Sequence, residues 1–196
     1  LALSLSQVEE VIKSNPDNVV VIDEAYVDFG AESAVNLVKK YDNLLVTQTF
    51  SKSRSMAGMR IGYAIGNPLL IKYLNDAKYS FNSYTMNQYA LKVGTEAVRD
   101  REYFEETCKK IIATRENAKK IMADMGFEFP DSMSNFLFVT HKKYDMTQLY
   151  EYLREKNIYV RHWNNPLIKD YLRITIGTDE EMNKLYDAIK VYMKEN

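Results

Sequence analysis

A single cysteine, Cys108, stands among 196 residues, with two histidines, one tryptophan, four prolines and seven glycines. One thiol closes no internal disulfide, and two isolated histidines, His141 and His162, do not make a metal-ligand pattern, so no metal is expected. Charge of one sign is also missing. Twenty-six basic residues meet 27 acidic ones for a net charge of −1, which argues against nucleic acid or an anionic membrane as the main partner. No apolar run approaches the length of a membrane span or of a signal-peptide core. The expectation is a soluble, cytoplasmic protein that acts on small molecules. What is present is a 46% hydrophobic composition, over a length that suits one large domain or two small ones. The chain opens LALSLSQVEE, with no initiator methionine and no strand ahead of it, and is expected to be part of something longer.

The first half alternates between helix and strand signals. Ser6 and Glu9 have capping-box spacing for a short helix with Val8, Val11 and Ile12 on one face, ending before Asn15-Pro16. VVVID (19 to 23) reads as a strand buried on both faces. A weaker helical stretch from Ala31 to Lys40 leads to a second strand, LLVTQTF, and RIGYAIG (60 to 66) makes a third. Strand, helix, strand is the pattern of a doubly wound α/β layer. Helices are then expected from Asn67-Pro68, from near Asn87, and from Glu102 to Met125, the last closed by Gly126. FLFV (136 to 139), IYVR (158 to 161) and LRITI (172 to 176) read as strands, with a helix through Leu149 and Leu153. A last helix is capped by Thr178 with Glu181. The second half is thus an α+β layer, and the division falls at 1–100 and 101–196 with a hinge near Arg99-Asp100.

Ligands of open α/β sheets sit beyond the carboxyl ends of the strands. There Asp23, Glu24 and Tyr26 follow VVVI, and Ser51 and Lys52 follow LLVTQTF. A strand-end acid equally serves a turn or a helix cap, and most lysines only solvate the surface, so the combination carries the weight. Around Lys52 stand the hydroxyls of Ser51, Ser53 and Ser55, then Gly58, where backbone approaches closely, and Arg60, whose fork suits a phosphate. An amine for an aldehyde, donors and a cation for a phosphate, and an acid for a pyridine nitrogen are what pyridoxal phosphate requires. Arg161 and Arg173 are either strand residues reaching solvent or a pair converging on one phosphate or carboxylate.

VVVIDEAYVDF followed by TFSKSRSMAGMRIGYAIG resembles the fold type I pyridoxal-phosphate aminotransferases, most closely the histidinol-phosphate aminotransferase family. SNFLFV (134 to 139), NIYVRHW (157 to 163) and YLRITIGT (171 to 178) resemble that family's C-terminal landmarks in the same order. The resemblance implies the C-terminal part of a large doubly wound α/β domain followed by a smaller α+β domain. It implies that Lys52 is the covalent link to pyridoxal 5'-phosphate, Asp23 pairs with the pyridine nitrogen, Tyr26 bonds the phenolic oxygen, and Ser51 and Arg60 hold the phosphate, with Thr49 beside them. Arg161, Arg173 and Asn135 would bind the substrate's anionic group, and Tyr84 lies where relatives reach a neighbouring subunit's site. The implied reaction is amino transfer from histidinol phosphate to 2-oxoglutarate in histidine biosynthesis, by a homodimer. A threonine-phosphate decarboxylase-like lyase, an aromatic amino acid aminotransferase and a noncatalytic module of the same fold stay open beside it. Relatives also carry, ahead of the matching position, further cofactor contacts that this sequence does not contain.

Overall fold

The computed structural model describes residues 2–196, which divide into two compact units, 2–107 and 108–196. In the first unit α1 (Leu5–Lys13) is capped by Ser4, whose hydroxyl accepts from Gln7 N while Gln7 returns a bond to Ser4 N. The capping box is therefore Ser4 with Gln7, two residues earlier than expected. Ser6 lies within the first turn, and Glu9 instead accepts from Lys40 and Tyr41. Val8 and Ile12 are buried, whereas Val11 is turned to solvent.

Strand β1 (Val20–Asp23) runs parallel to β2 (Leu44–Thr49), which pairs antiparallel with β3 (Gly62–Gly66) in the order β1-β2-β3. Parallel pairing puts Asp23 opposite Thr47, so β1 and β2 end on the same side. β1 is buried on one face only: Val20 packs with Val8, Ile12, Leu44 and Val46, but Val19 and Val21 are 52% and 55% exposed. β1 is an edge strand here, and side chains alternate across it. The crossover from β1 to β2 carries a 3-10 helix over Ala34–Lys39, within the weaker helical stretch expected from Ala31 to Lys40. Its start is fixed by the Glu24 carboxylate, which accepts from Ser33 Oγ (2.7 Å) and Ala34 N (2.6 Å).

Helix α2 (Pro68–Phe81) starts as expected, with Asn67 as cap and proline at the first position, and α3 (Gln88–Arg99) is capped by Asn87. The helical run breaks at Asp100 (φ −79°, ψ 71°) and resumes as α4 (Arg101–Asp124), within which the two units divide. Gly126 closes α4 at φ 84°, a backbone conformation that favours glycine.

In the second unit β4 (Phe127–Glu128), absent from the sequence reading, pairs with β5 (Phe136–His141), and β5 with β6 (Leu172–Thr175), all antiparallel. IYVR does not form a strand. Only Arg161 enters the sheet, through one bridge in which it and Arg173 exchange both backbone hydrogen bonds (3.0 and 2.8 Å). α5 (Met146–Glu155) and α6 (Asp179–Glu195) bring Leu149, Leu153, Leu185 and Ile189 onto Leu137, Val139, Leu172 and Ile174 to form this unit's core. Thr178 and Glu181 form the expected capping box, and three acids in the first turn of α6 favour its positive end.

Candidate active site

Five of the sequence-selected residues in the first unit collect at the shared end of β1 and β2. Asp23 closes β1, exposed, with Oδ1 accepting from Ala25 N at 3.0 Å, which fixes the carboxylate in a tight turn. Tyr26 follows at the entrance of the 3-10 turn Val27–Phe29. From β2, Thr49 donates to Ser51 Oγ at 3.0 Å and accepts from Ser51 N at 3.1 Å, so these two hydroxyls form one polar corner. Next comes Lys52, half-buried, its Nζ 5.4 Å from the centre of the Tyr26 ring. The ammonium has no carboxylate partner among the described residues. Arg60 completes the loop in left-handed backbone (φ 56°, ψ 42°), exposed, with Nη1 donating to Ala57 O at 2.9 Å.

Connections that the sequence reading did not assign hold this corner. Glu24, only 8% exposed, takes a third bond from Gln48 Nε2 (2.8 Å), and Gln48 Oε1 accepts from the Tyr63 hydroxyl. Burial, and after it the charge of Asp28, pushes the Tyr63 phenol up. Ser53 donates to Asp28 at 2.5 Å, joining the Lys52 loop to the turn that carries Tyr26. Gln48 stands between Thr47 and Thr49 in the polar half of β2, with nothing local to mark it out. Asp28 had no local signal at all.

In the second unit the two arginines meet on one indole. The guanidinium carbon of Arg161 lies 5.3 Å from the Trp163 ring centre and that of Arg173 5.5 Å, with Arg173 also 5.3 Å from Phe136. Arg173 Nε is buried and has no hydrogen-bond partner among the described residues. Trp163 is thus the platform that both forks share. Asn135 enters through its carbonyl, which accepts from Ile176 N at 2.9 Å. Its neighbour Ser134 is held by buried Arg115, which donates from Nη1 to Ser134 O at 3.0 Å. His162 Nε2 lies 2.7 Å from Lys169 O, and His141 Nε2 3.3 Å from Met125 O. Both are satisfied within the fold.

The fold is that of the fold type I pyridoxal-phosphate-dependent aminotransferases. The chain belongs to the aminotransferase class I and II family, whose model matches residues 1–189. It is 53% identical to the histidinol-phosphate aminotransferase of Brachyspira hyodysenteriae over 99% of this chain and 55% of that protein. In fold it is similar to the crystal structure of the histidinol-phosphate aminotransferase from Clostridium acetobutylicum, with a TM-score of 0.89 at 24% identity, covering 97% of this chain and 59% of that one. It is likewise similar to the enzyme of that name from Sinorhizobium meliloti in complex with pyridoxal-5'-phosphate, at TM-score 0.85 and 23% identity, covering 99% and 54%. The chain spans about half the length of the curated relatives it matches.

Proposed function

We propose that this chain supplies the cofactor lysine, the cofactor acid and the substrate arginines of a pyridoxal-phosphate-dependent aminotransferase. The whole enzyme, on this reading, moves the amino group of histidinol phosphate to 2-oxoglutarate, giving imidazole acetol phosphate and glutamate. The observation that carries the proposal is the Lys52 ammonium, 5.4 Å from the Tyr26 ring centre and without a carboxylate partner among the described residues, at the end of the β1/β2 pair, with Asp23 closing β1 at that same end. Identity of 53% over nearly the whole chain supports the choice of amino donor.

The residues fit the cofactor in kind. When bound, pyridoxal phosphate supplies an electron sink for the substrate's α carbon. Asp23 has one oxygen anchored by Ala25 N, and its Oδ2 takes no hydrogen bond among the described residues, which leaves it for a charge-assisted bond to a pyridinium. Lys52 would hold the cofactor's aldehyde carbon and, once the substrate amine has displaced it, would move a proton at the substrate's α carbon. Tyr26 would donate to the phenolic oxygen. Ser51, oriented by Thr49, and Arg60 would take the phosphate; the close backbone approach expected at Gly58 is not seen, since an added Cβ there would meet nothing within 4 Å. Arg161 and Arg173 take the substrate's phosphate or carboxylate in turn, with Asn135 beside them. Units 2–107 and 108–196 correspond, on this reading, to the large-domain portion and the small domain, with the expected 1–100 and 101–196 division as their approximate limits. The exposed aromatics Phe81, Tyr84 and Tyr89 favour a homodimer, and on this reading the enzyme works in the cytoplasm.

Borohydride reduction of the protein mixed with pyridoxal phosphate, followed by peptide mass spectrometry, tests the assignment. A pyridoxyl mass on the Lys52 peptide, lost in Lys52→Ala, is the expected result; label elsewhere or none overturns it. Amino transfer from histidinol phosphate above transfer from aromatic amino acids supports the donor, whereas carbon dioxide release from a phosphoamino acid replaces the proposal with the lyase.

A further inference from the structure

Two residues after Lys52, Arg54 is bound on three sides. Its Nη1 donates to Ala97 O at 2.5 Å, and its guanidinium carbon lies 4.0 Å from the Phe104 ring centre and 5.3 Å from that of Phe50. Ala97 belongs to the last turn of α3, where carbonyls lose their helical partners because the helix stops at Arg99. A cation there also meets the negative end of the helix. Phe104 lies on α4, beyond the break at Asp100. Arg54 thus binds the Lys52 loop simultaneously to the end of one helix and the first turn of the next.

The loop needs such a hold. Residues 50 to 61 close on themselves through Phe50 N to Ile61 O (3.0 Å), yet Ser55 and Arg60 sit at φ 54° and 56°, left-handed backbone that non-glycine residues keep only when their surroundings enforce it. Ser55 directly follows Arg54. On the other flank Ser53 is tied to Asp28. A cavity of about 530 Å³ opens beside the clamp, lined by Arg54, Val93, Ala97, Arg99, Tyr103 and Phe104 among others, so no tight packing replaces the hydrogen bond if it is lost.

We infer that Arg54 is a positioning residue for Lys52: by capping α3 and stacking on Phe104 it fixes the loop from which the lysine projects. This rests on the proposed role of Lys52. Planarity is part of the inference, because a lysine at the same place keeps the carbonyl bond and loses the stack.

The test compares Arg54→Ala and Arg54→Lys with Val93→Ala, which alters the same cavity from α3 and leaves the Arg54 contacts to Ala97 and Phe104 in place. Hydrogen exchange of amides 51–60 is expected to quicken in Arg54→Ala and not in Val93→Ala. The rate of borohydride-trapped pyridoxyl labelling at Lys52 is expected to fall on the order of tenfold or more in Arg54→Ala, with partial recovery in Arg54→Lys. The pH midpoint of the visible cofactor band is expected to move only in the Arg54 variants. Wild-type exchange together with wild-type labelling in Arg54→Ala overturns the inference. If Arg54→Ala does not fold, Arg54→Lys decides: labelling and band midpoint indistinguishable from wild type overturn it. Failure of the wild-type protein itself to label at Lys52 strikes instead at the role assigned to the lysine, and the inference falls with it.

Discussion

Glu24 shows how a single residue sets the candidate site without touching a ligand. Its buried carboxylate accepts from Ser33, Ala34 and Gln48, and these bonds fix the chain immediately after Asp23. Glu24→Ala leaves several buried donors unmet and is expected to cost about 2–4 kcal/mol, read as a lower urea midpoint. Glu24→Gln keeps the shape and should cost less. Asp23 and Glu24 are neighbours of the same type, and residue type alone does not separate the anchored acid from the available one. The difference arises from strand alternation, which turns Glu24 inward toward Gln48 on β2 and leaves Asp23 at the open end. At the arginines the same holds: two cations were legible, but the indole that gathers them was not. Arg173→Ala is expected to weaken inorganic phosphate binding more than Arg161→Ala in calorimetric titration, because Arg173 carries the buried unpaired Nε.

Among the elements, helices were read well where caps announce them. Asn67, Asn87 and Thr178 each begin the helix expected of them. Thr178→Ala removes a capping box and is expected to cost about 1 kcal/mol, measured by thermal melting. Helix α1 was read two residues late because Ser4 and Ser6 compete for the same role, and Ser4 wins by placing Gln7 within reach. Glu9, thereby free of capping, is held down to about 2 from an ordinary 4.5 by hydrogen bonds from Lys40 and then Tyr41. A depressed carboxylate contributes stability that is present in full above the unfolded value and is lost as pH falls through the folded one. Unfolding midpoints taken from about pH 5 down to about pH 2 should therefore decline less steeply in Glu9→Gln than in wild type. β1 was read as buried on both faces from four apolar residues in a row, a pattern that records composition and not neighbours. Val21→Thr is expected to change stability by less than about 0.5 kcal/mol, against about 1–3 kcal/mol for Val46→Ala on β2, whose side chain is fully enclosed.

At the scale of the whole molecule two units have separate cores, one around Leu44 and Val46 and one around Leu137, Leu153 and Ile189. Leu153→Ala is expected to cost about 2–5 kcal/mol, detected as faster hydrogen exchange in β5, β6 and α5. The capped helices, the order of most elements and the family were legible in sequence, since caps, periodicity and the Ser51-Lys52 and Asp23-x-x-Tyr26 spacings are local properties that survive in one dimension, whereas the strand expected over 158–161 does not form and β4 gave no signal. Tertiary structure alone decided which face of β1 is covered, that 158–160 stay outside the sheet, that Glu24 is an anchor, and that Arg54 reaches across to α3 and α4. Those outcomes depend on contacts between residues 9 to 50 positions apart, and hydrogen bonding and burial at such separations are set by packing, which no local pattern encodes.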